Sequence, residues 1–93
     1  MTEVLQALAD PTRREILRLL RKRDLSAGEI AEQFALAKST LSGHFNVLKR
    51  AGLVVTERRG TTILYSLNLS ALEQVMAGLY EFFNGARRGK EKR

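Results

Sequence analysis

The chain has no cysteine among its 93 residues and a single histidine, His44. The first absence excludes disulfide frameworks, zinc ribbons and thiol nucleophiles. The second excludes any site that needs two imidazoles. No apolar run approaches the ~18 residues of a membrane span, and the N-terminus shows no basic-then-apolar leader. Membrane insertion is therefore not expected, and the expected compartment is the cytoplasm. No Gly-rich phosphate cradle and no nucleophile–base–orienter set is visible, so an enzyme is not expected either. There is no internal repeat and no linker. A chain of this length makes one small domain, burying roughly 60–65% of the surface its unfolded form exposes. At that size a second copy often adds stability.

Charge is what the chain does have: 16 Lys and Arg against 10 Asp and Glu, a net +6. It is unevenly spread. Residues Arg87 to Arg93 hold five bases and one acid, Glu91. They read as a basic, disordered tail (87–93) behind a folded domain (1–86). Between Lys38 and Arg59, the bases Lys38, Lys49, Arg50, Arg58 and Arg59 face only Glu57, whereas Asp24 to Phe34 carries acids alone. A body with one basic face points to an anionic polymer as partner.

The pattern along the chain predicts mainly α structure with a small β-hairpin, in the order α-α-α-α-β-β-α. A short first helix over Thr2 to Ala9 places Val4, Leu5 and Leu8 on one side. Asp10-Pro11 reads as an N-cap and a first-turn proline. A second helix follows to about Lys22, with Ile16, Leu17 and Leu20 as its buried stripe and Arg13, Arg14, Arg18, Arg21 and Lys22 on its solvated face. Ser26 and Glu29 make a capping box, with Leu25 and Ile30 as its hydrophobic staple, so a third helix starts at Ala27. The fourth runs from about Lys38 to Ala51 on a stripe of Leu41, Phe45 and Leu48, and Gly52 stops it. Strands follow over Leu53 to Glu57 and Thr62 to Leu67, joined by the loop Arg58-Arg59-Gly60-Thr61. Ser70 to Glu73 reads as a second capping box, opening a last helix that Asn84-Gly85 ends.

A short capped helix, a turn of three or four residues and a longer helix with a polar face form a helix-turn-helix. A basic hairpin directly after it makes the winged version. The major groove of B-DNA, about 12 Å wide, admits one helix. Such a helix needs short polar side chains toward the bases and cations toward the phosphates. Lys38, Ser39, Thr40, Ser42, His44 and Asn46 supply the first, with Ser39, Thr40, Ser42 and His44 as base readers. Lys49, Arg50, Arg58 and Arg59 supply the second. The expected function is sequence-specific DNA binding. Three other readings stay open: a winged-helix protein-interaction module without an operator, a sequence-blind DNA coat, and an ordinary solvated surface.

The run Leu8-Ala9-Asp10-Pro11-Thr12-Arg13-Arg14 through Ile16-Leu17, then Ile30-Ala31, Ser42-Gly43-His44-Phe45 through Leu48, Ala51-Gly52-Leu53-Val54, Arg59-Gly60 and Tyr65 resembles the ArsR family of winged helix-turn-helix repressors. Within it, the small SdpR-like autorepressor branch is the nearest match. The resemblance implies five helices and a β-wing, a homodimer through the first and last helices, and a pseudo-palindromic DNA operator. It implies a recognition helix over Lys38 to Arg50, Gly43 included. It also implies a wing from Val54 to Leu67 with Arg58, Arg59 and Gly60 at its tip. Autoregulation and release by a protein partner at the membrane come with that branch. The chain departs from the family at several places. Without Cys, and with no His in the last helix, the family's usual metal sites cannot be built, so no metal cofactor is expected. Ala37 stands where a Ser cap is common, Ala35 where Gly or Asn is usual, and Gly43 where a longer side chain reads DNA.

The last helix argues for a dimer on its own residues. Leu72, Val75, Met76, Leu79, Tyr80, Phe82 and Phe83 form an apolar arc wider than one side of a small domain easily covers; a second copy is the expected cover, and the chain's own first helix is the alternative. With Val4, Leu5 and Leu8, the residues Leu72, Val75, Met76, Leu79, Tyr80 and Phe83 are the expected interface. A two-fold pair would set two reading helices about 34–36 Å apart on one DNA face.

Overall fold

The structure, a computed structural model, describes the backbone of residues 2–91 and the side-chain surroundings of residues 2–85. Its elements are α1 (Thr2–Leu8), α2 (Pro11–Lys22), β1 (Leu25–Ser26), α3 (Ala27–Ala31), α4 (Lys38–Arg50), β2 (Val54–Arg59), β3 (Thr62–Leu67) and α5 (Leu69–Glu91). The three strands form an antiparallel sheet in the order β1-β3-β2.

Local chemistry explains where α2 and α3 begin. Asp10 has extended backbone, and its Oδ1 accepts from the backbone N–H of Thr12 at 2.8 Å and of Arg13 at 3.2 Å, with Pro11 in the first turn. Ser26 caps α3 in a complete capping box. Its Oγ accepts from the Glu29 N–H at 3.1 Å, and Glu29 Oε1 accepts from the Ser26 N–H at 2.9 Å. A five-residue helix is far too short to persist alone. The box, together with fully buried Ile30, holds α3 in place. The Ser26 N–H, and to a smaller extent the Arg23 charge, hold the Glu29 carboxyl below its ordinary value against the opposing effect of desolvation.

The core joins Ala7 of α1, Ile16, Leu17 and Leu20 of α2, and Leu25 and Ile30 at the start of the helix-turn-helix. Leu41, Phe45 and Leu48 of α4 and Leu53, Val54 and Tyr65 of the wing complete it. The Phe45 and Tyr65 rings meet with centroids 4.8 Å apart. Burial pushes the Tyr65 hydroxyl above its ordinary value. On α1 the innermost residue is Ala7; Val4 and Leu8 only flank the core, and Leu5 is exposed.

Several expectations are corrected. β1 is a strand that the sequence pattern does not reveal; its two residues pair Leu25 with Tyr65 and Ser26 with Leu64. Six residues (32–37) connect α3 to α4, rather than three or four, because α3 ends after five residues. Ala35 stands where Gly or Asn is usual in the family, but its backbone is not left-handed, so its Cβ brings no strain there. Arg58 and Arg59 belong to β2, with Arg59 opposite Thr62, leaving Gly60-Thr61 as a two-residue turn. Gly60 has φ +63° and Thr61 does not go positive, the pattern of a type II′ hairpin with Gly first.

The second capping box does not form. The cap of α5 is Asn68, whose Oδ1 accepts from the Ala71 N–H at 3.3 Å and from the Ser70 hydroxyl at 3.1 Å. Asn68 is itself anchored: its Nδ2 donates to the Gly52 carbonyl at 3.0 Å and its backbone N–H to the Leu53 carbonyl at 2.8 Å. This fixes the start of α5 to the turn that ends α4, where Gly52 takes φ +76°. Nor does α5 stop at Asn84-Gly85. It continues to Glu91, so residues 87–91, expected in a disordered tail, are helical. Gly85 keeps a helical rather than a left-handed φ, and one interior glycine costs only about 1 kcal/mol. Lys92 and Arg93 lie outside the described residues.

The Asp10 cap yields a stability test. Desolvation raises the Asp10 pKa, but the Arg13 and Thr12 N–H groups and the nearby His44 and Arg13 charges together leave it below its ordinary value. Asp10→Ala should cost about 1 kcal/mol in urea unfolding. Asp10→Asn keeps a capping oxygen and loses only the charge. A carboxyl whose folded pKa is lowered contributes fully above its unfolded value, about 3.9, and loses that contribution as pH falls through the folded value. The stability gap between wild type and Asp10→Asn should therefore close below about pH 4.

Candidate nucleic-acid interface

Burial of Leu41, Phe45 and Leu48 dictates what α4 presents outward. These three sit on one side of a helix, so Lys38, Ser39, Ser42, Gly43, Asn46, Lys49 and Arg50 are left exposed across the other, with Thr40 at its margin. The face contains no acidic residue. Gly43 meets no neighbouring atom where a Cβ would stand, so its absent side chain leaves a gap in the middle of the face.

One expected member of the set stands apart. The His44 side chain is only 15% exposed. Its Nδ1 lies 3.2 Å from Arg13 Nη1 and 4.0 Å from Asp10 Oδ1. The ring is thus directed to the start of α2 and not outward with Ser39, Ser42 and Asn46. Arg13 was expected on the solvated face of α2; instead its Nε and Nη2 donate to the Ala7 and Gln6 carbonyls. Arg14 Nη1 likewise donates to the Leu8 carbonyl at 2.8 Å. Both arginines satisfy carbonyls at the end of α1, which have no partner within that helix. The signal available in sequence was their position just after a short helix with no basic residue in its own last turn.

In the wing, Arg58, Arg59 and Gly60 are exposed as expected. Successive strand residues point to opposite faces. Arg58 shares a face with buried Val54 and Tyr65, and Arg59 shares the other with Glu57 and Val55. Arg59 Nη2 lies 3.2 Å from Glu57 Oε1, an exposed pair that DNA phosphate can displace at little cost. The two arginines therefore reach a partner from different sides of one ribbon.

The expected dimer residues divide into two groups. Val4, Leu8 and Leu72 pack on the chain's own core, and Val75 is buried. Leu79 is half-buried. Leu5, Met76, Tyr80 and Phe83 are exposed, Tyr80 at 66% and Phe83 at 67%, and Phe82 equals Phe83. Among the described residues, no three His, Cys, Asp or Glu side chains gather as a metal-ligand set.

A family model described as a helix-turn-helix domain (HTH_20) matches residues 8–57. The chain is 43% identical to the transcriptional repressor SdpR of Bacillus subtilis (strain 168) over 84 residues, 90% of this chain and 93% of that protein. It is 35% identical to the arsenical resistance operon repressor of Staphylococcus xylosus over 79 residues, 85% of this chain and 76% of that one. In three dimensions it is similar to an ArsR-like transcriptional regulator from Rhodococcus sp. RHA1, with a TM-score of 0.87 at 29% identity, covering 97% and 85% of the two chains.

The start of α4 supplies a further test. Ala37 has the extended backbone of an N-cap and makes no side-chain cap bond. Ala37→Ser should add an acceptor for the first-turn N–H groups and stabilise the fold by about 1 kcal/mol, read as a higher urea midpoint with unchanged slope.

Proposed function

We propose a homodimeric operator-binding repressor, from the premise that this chain belongs to the ArsR family of winged helix-turn-helix transcriptional regulators and is not an enzyme. Its relatives are named as transcriptional regulators and repressors. The observation that supports the finer reading is the outer face of α4: polar, cationic, free of acids and held outward by its own buried stripe.

In this reading Ser39, Thr40 and Ser42 approach base edges near the N-terminus of α4, with Asn46 beside them. Lys38, Lys49 and Arg50 meet the backbone phosphates that border the major groove, and Arg58, Arg59 and Gly60 carry the wing along the adjoining backbone. Gly43 brings the helix backbone close without a base contact of its own. His44, directed to α2, is left out of the base-reading set. Phosphate contacts supply most of the affinity, and base contacts supply the choice of site.

The dimer reading rests on α5. A compact chain of this length has a radius of gyration of about 12 Å, whereas this one has 16.1 Å, and it is 59 Å long but only 24 × 20 Å across. The excess is α5, whose 23 residues span about 34 Å and carry Met76, Tyr80, Phe82 and Phe83 exposed. Burying each of these against a second copy is worth roughly 1.5–3 kcal/mol. Residues 1–86 are taken as the DNA-binding and dimerisation unit, and 87–93 as its basic extension. No helix of the described residues is long and apolar enough to cross a membrane, and a cytoplasmic site of action accompanies the reading. Release by a protein partner is implied by the resemblance to the SdpR-like branch, and no residue is assigned to it.

Selection from a random duplex pool tests the reading: it should enrich one inverted repeat. Enrichment of nothing over random DNA would leave only a coating or protein-docking role. Arg58→Ala with Arg59→Ala should weaken all duplexes about equally and flatten the log–log salt slope by about 2. Sedimentation should give a dimer mass for the wild type and a monomer mass for Tyr80→Asp with Phe83→Asp. A wild-type monomer at micromolar concentration would refute the interface.

A further inference from the structure

We propose that Arg13 is a positioning residue for DNA recognition: a single guanidinium holds α4 in register with α1. The proposal rests on the operator-binding reading above. Arg13 lies in the first turn of α2, half-buried and off the reading face. Its Nε donates to the Ala7 carbonyl at 2.9 Å and its Nη2 to the Gln6 carbonyl at 2.8 Å. The third nitrogen, Nη1, lies 3.2 Å from Nδ1 of His44, midway along α4. A guanidinium only donates, so in the neutral form of the ring this bond requires the lone pair on Nδ1 and the proton on Nε2. Asp10, the cap of α2, stands on the same ring atom at 4.0 Å. One planar group thereby ties together the end of α1, the start of α2 and the middle of α4.

This arrangement has a consequence for reading DNA. α1 carries Leu5, the exposed residue of the dimer contact expected for that helix, and α4 carries the proposed base readers. The offset between the two helices sets how far apart a dimer holds its reading helices, and that distance must match the half-site spacing. Long Lys and Arg side chains adapt to a shifted helix and keep their phosphates. Short Ser and Thr side chains do not adapt, and lose their base edges. Loss of the tie should therefore lower specific binding and spare non-specific binding. Lysine cannot replace Arg13, because its three donors share one nitrogen and cannot span three separated acceptors.

The test compares wild type, Arg13→Lys, His44→Phe, His44→Gln and the double variant Arg13→Lys with His44→Phe. Each is titrated with the selected duplex and with random duplex, and sedimentation and urea unfolding are recorded alongside. Arg13→Lys and His44→Phe should each weaken the selected duplex about tenfold, the scale of one charged hydrogen bond, and change random duplex by less than about twofold. His44→Gln, whose side-chain carbonyl can accept from Arg13, should stay within about threefold of wild type. The double variant should be no weaker than the single ones. The inference is overturned by equal losses on both duplexes, by losses that multiply in the double variant (His44 then touches DNA itself), or by no loss. Should Arg13→Lys unfold, the histidine pair decides alone: a loss in His44→Phe that His44→Gln recovers supports the tie, and equal behaviour overturns it. A wild type that does not distinguish the selected duplex from random DNA would refute the operator reading instead.

Discussion

The burial of one face of α4 is the constraint on which the molecule depends. Leu41, Phe45 and Leu48 enter a core shared with Ile16, Leu20, Ile30, Leu53 and Tyr65. A chain this small has little apolar surface to spare, and truncating any one of these to Ala would remove roughly 2–5 kcal/mol from a total of 5–15. The same three side chains that stabilise the fold also determine the rotation of α4 about its axis. Ser39, Ser42, Gly43, Asn46 and Arg50 face outward because the stripe faces in. Fold stability and the presentation of the proposed DNA-reading surface are thus one packing event.

Around that core, short elements are held by polar ties rather than by length. α3 has five residues and β1 two, and neither would persist alone. Ser26 and Glu29 close the capping box, and Leu25 pairs with Tyr65, so the first half of the helix-turn-helix is fastened to the wing. Asn68 fastens the start of α5 to the turn after α4. Arg13 and Arg14 fasten the end of α1 to α2. Each bond contributes about 1 kcal/mol, but together they fix the angles at which α1, α4, α5 and the wing leave the body. In the proposed dimer those angles would decide whether two copies of α4 meet two half-sites.

Much of this was legible in the chain. Asp10-Pro11, Ser26 with Glu29, the 3–4 spacing of Leu41, Phe45 and Leu48, and Gly52 after α4 are local signals, and local signals survive without tertiary context. The cationic residues of α4 and the wing were legible for the same reason. What escaped was long-range. β1 is too short to show an alternation, and exists because β3 has a free edge beside Leu25. The cap of α5 fell to Asn68 and not Ser70, because Asn68 is anchored 16 residues back at Gly52. His44 looked like its polar neighbours on α4, and only the fold reveals Arg13, 31 residues away in the chain, against its ring. The end of α5 is not legible locally because an Asn-Gly pair looks like a stop, whereas Ala86, Arg87, Arg88, Lys90 and Glu91 after it are good helix formers.

The sequence by itself determined the element order, the buried stripe of each helix, the charge of the outer surface and the family resemblance, since periodicity, capping chemistry and net charge depend on neighbours along the chain. Only the tertiary structure decided which way His44 turns, how Arg58 and Arg59 divide between two faces of the wing, and how far α5 projects with its aromatic residues bare. Those outcomes depend on atoms brought together from distant positions, and no local pattern encodes the distance between them.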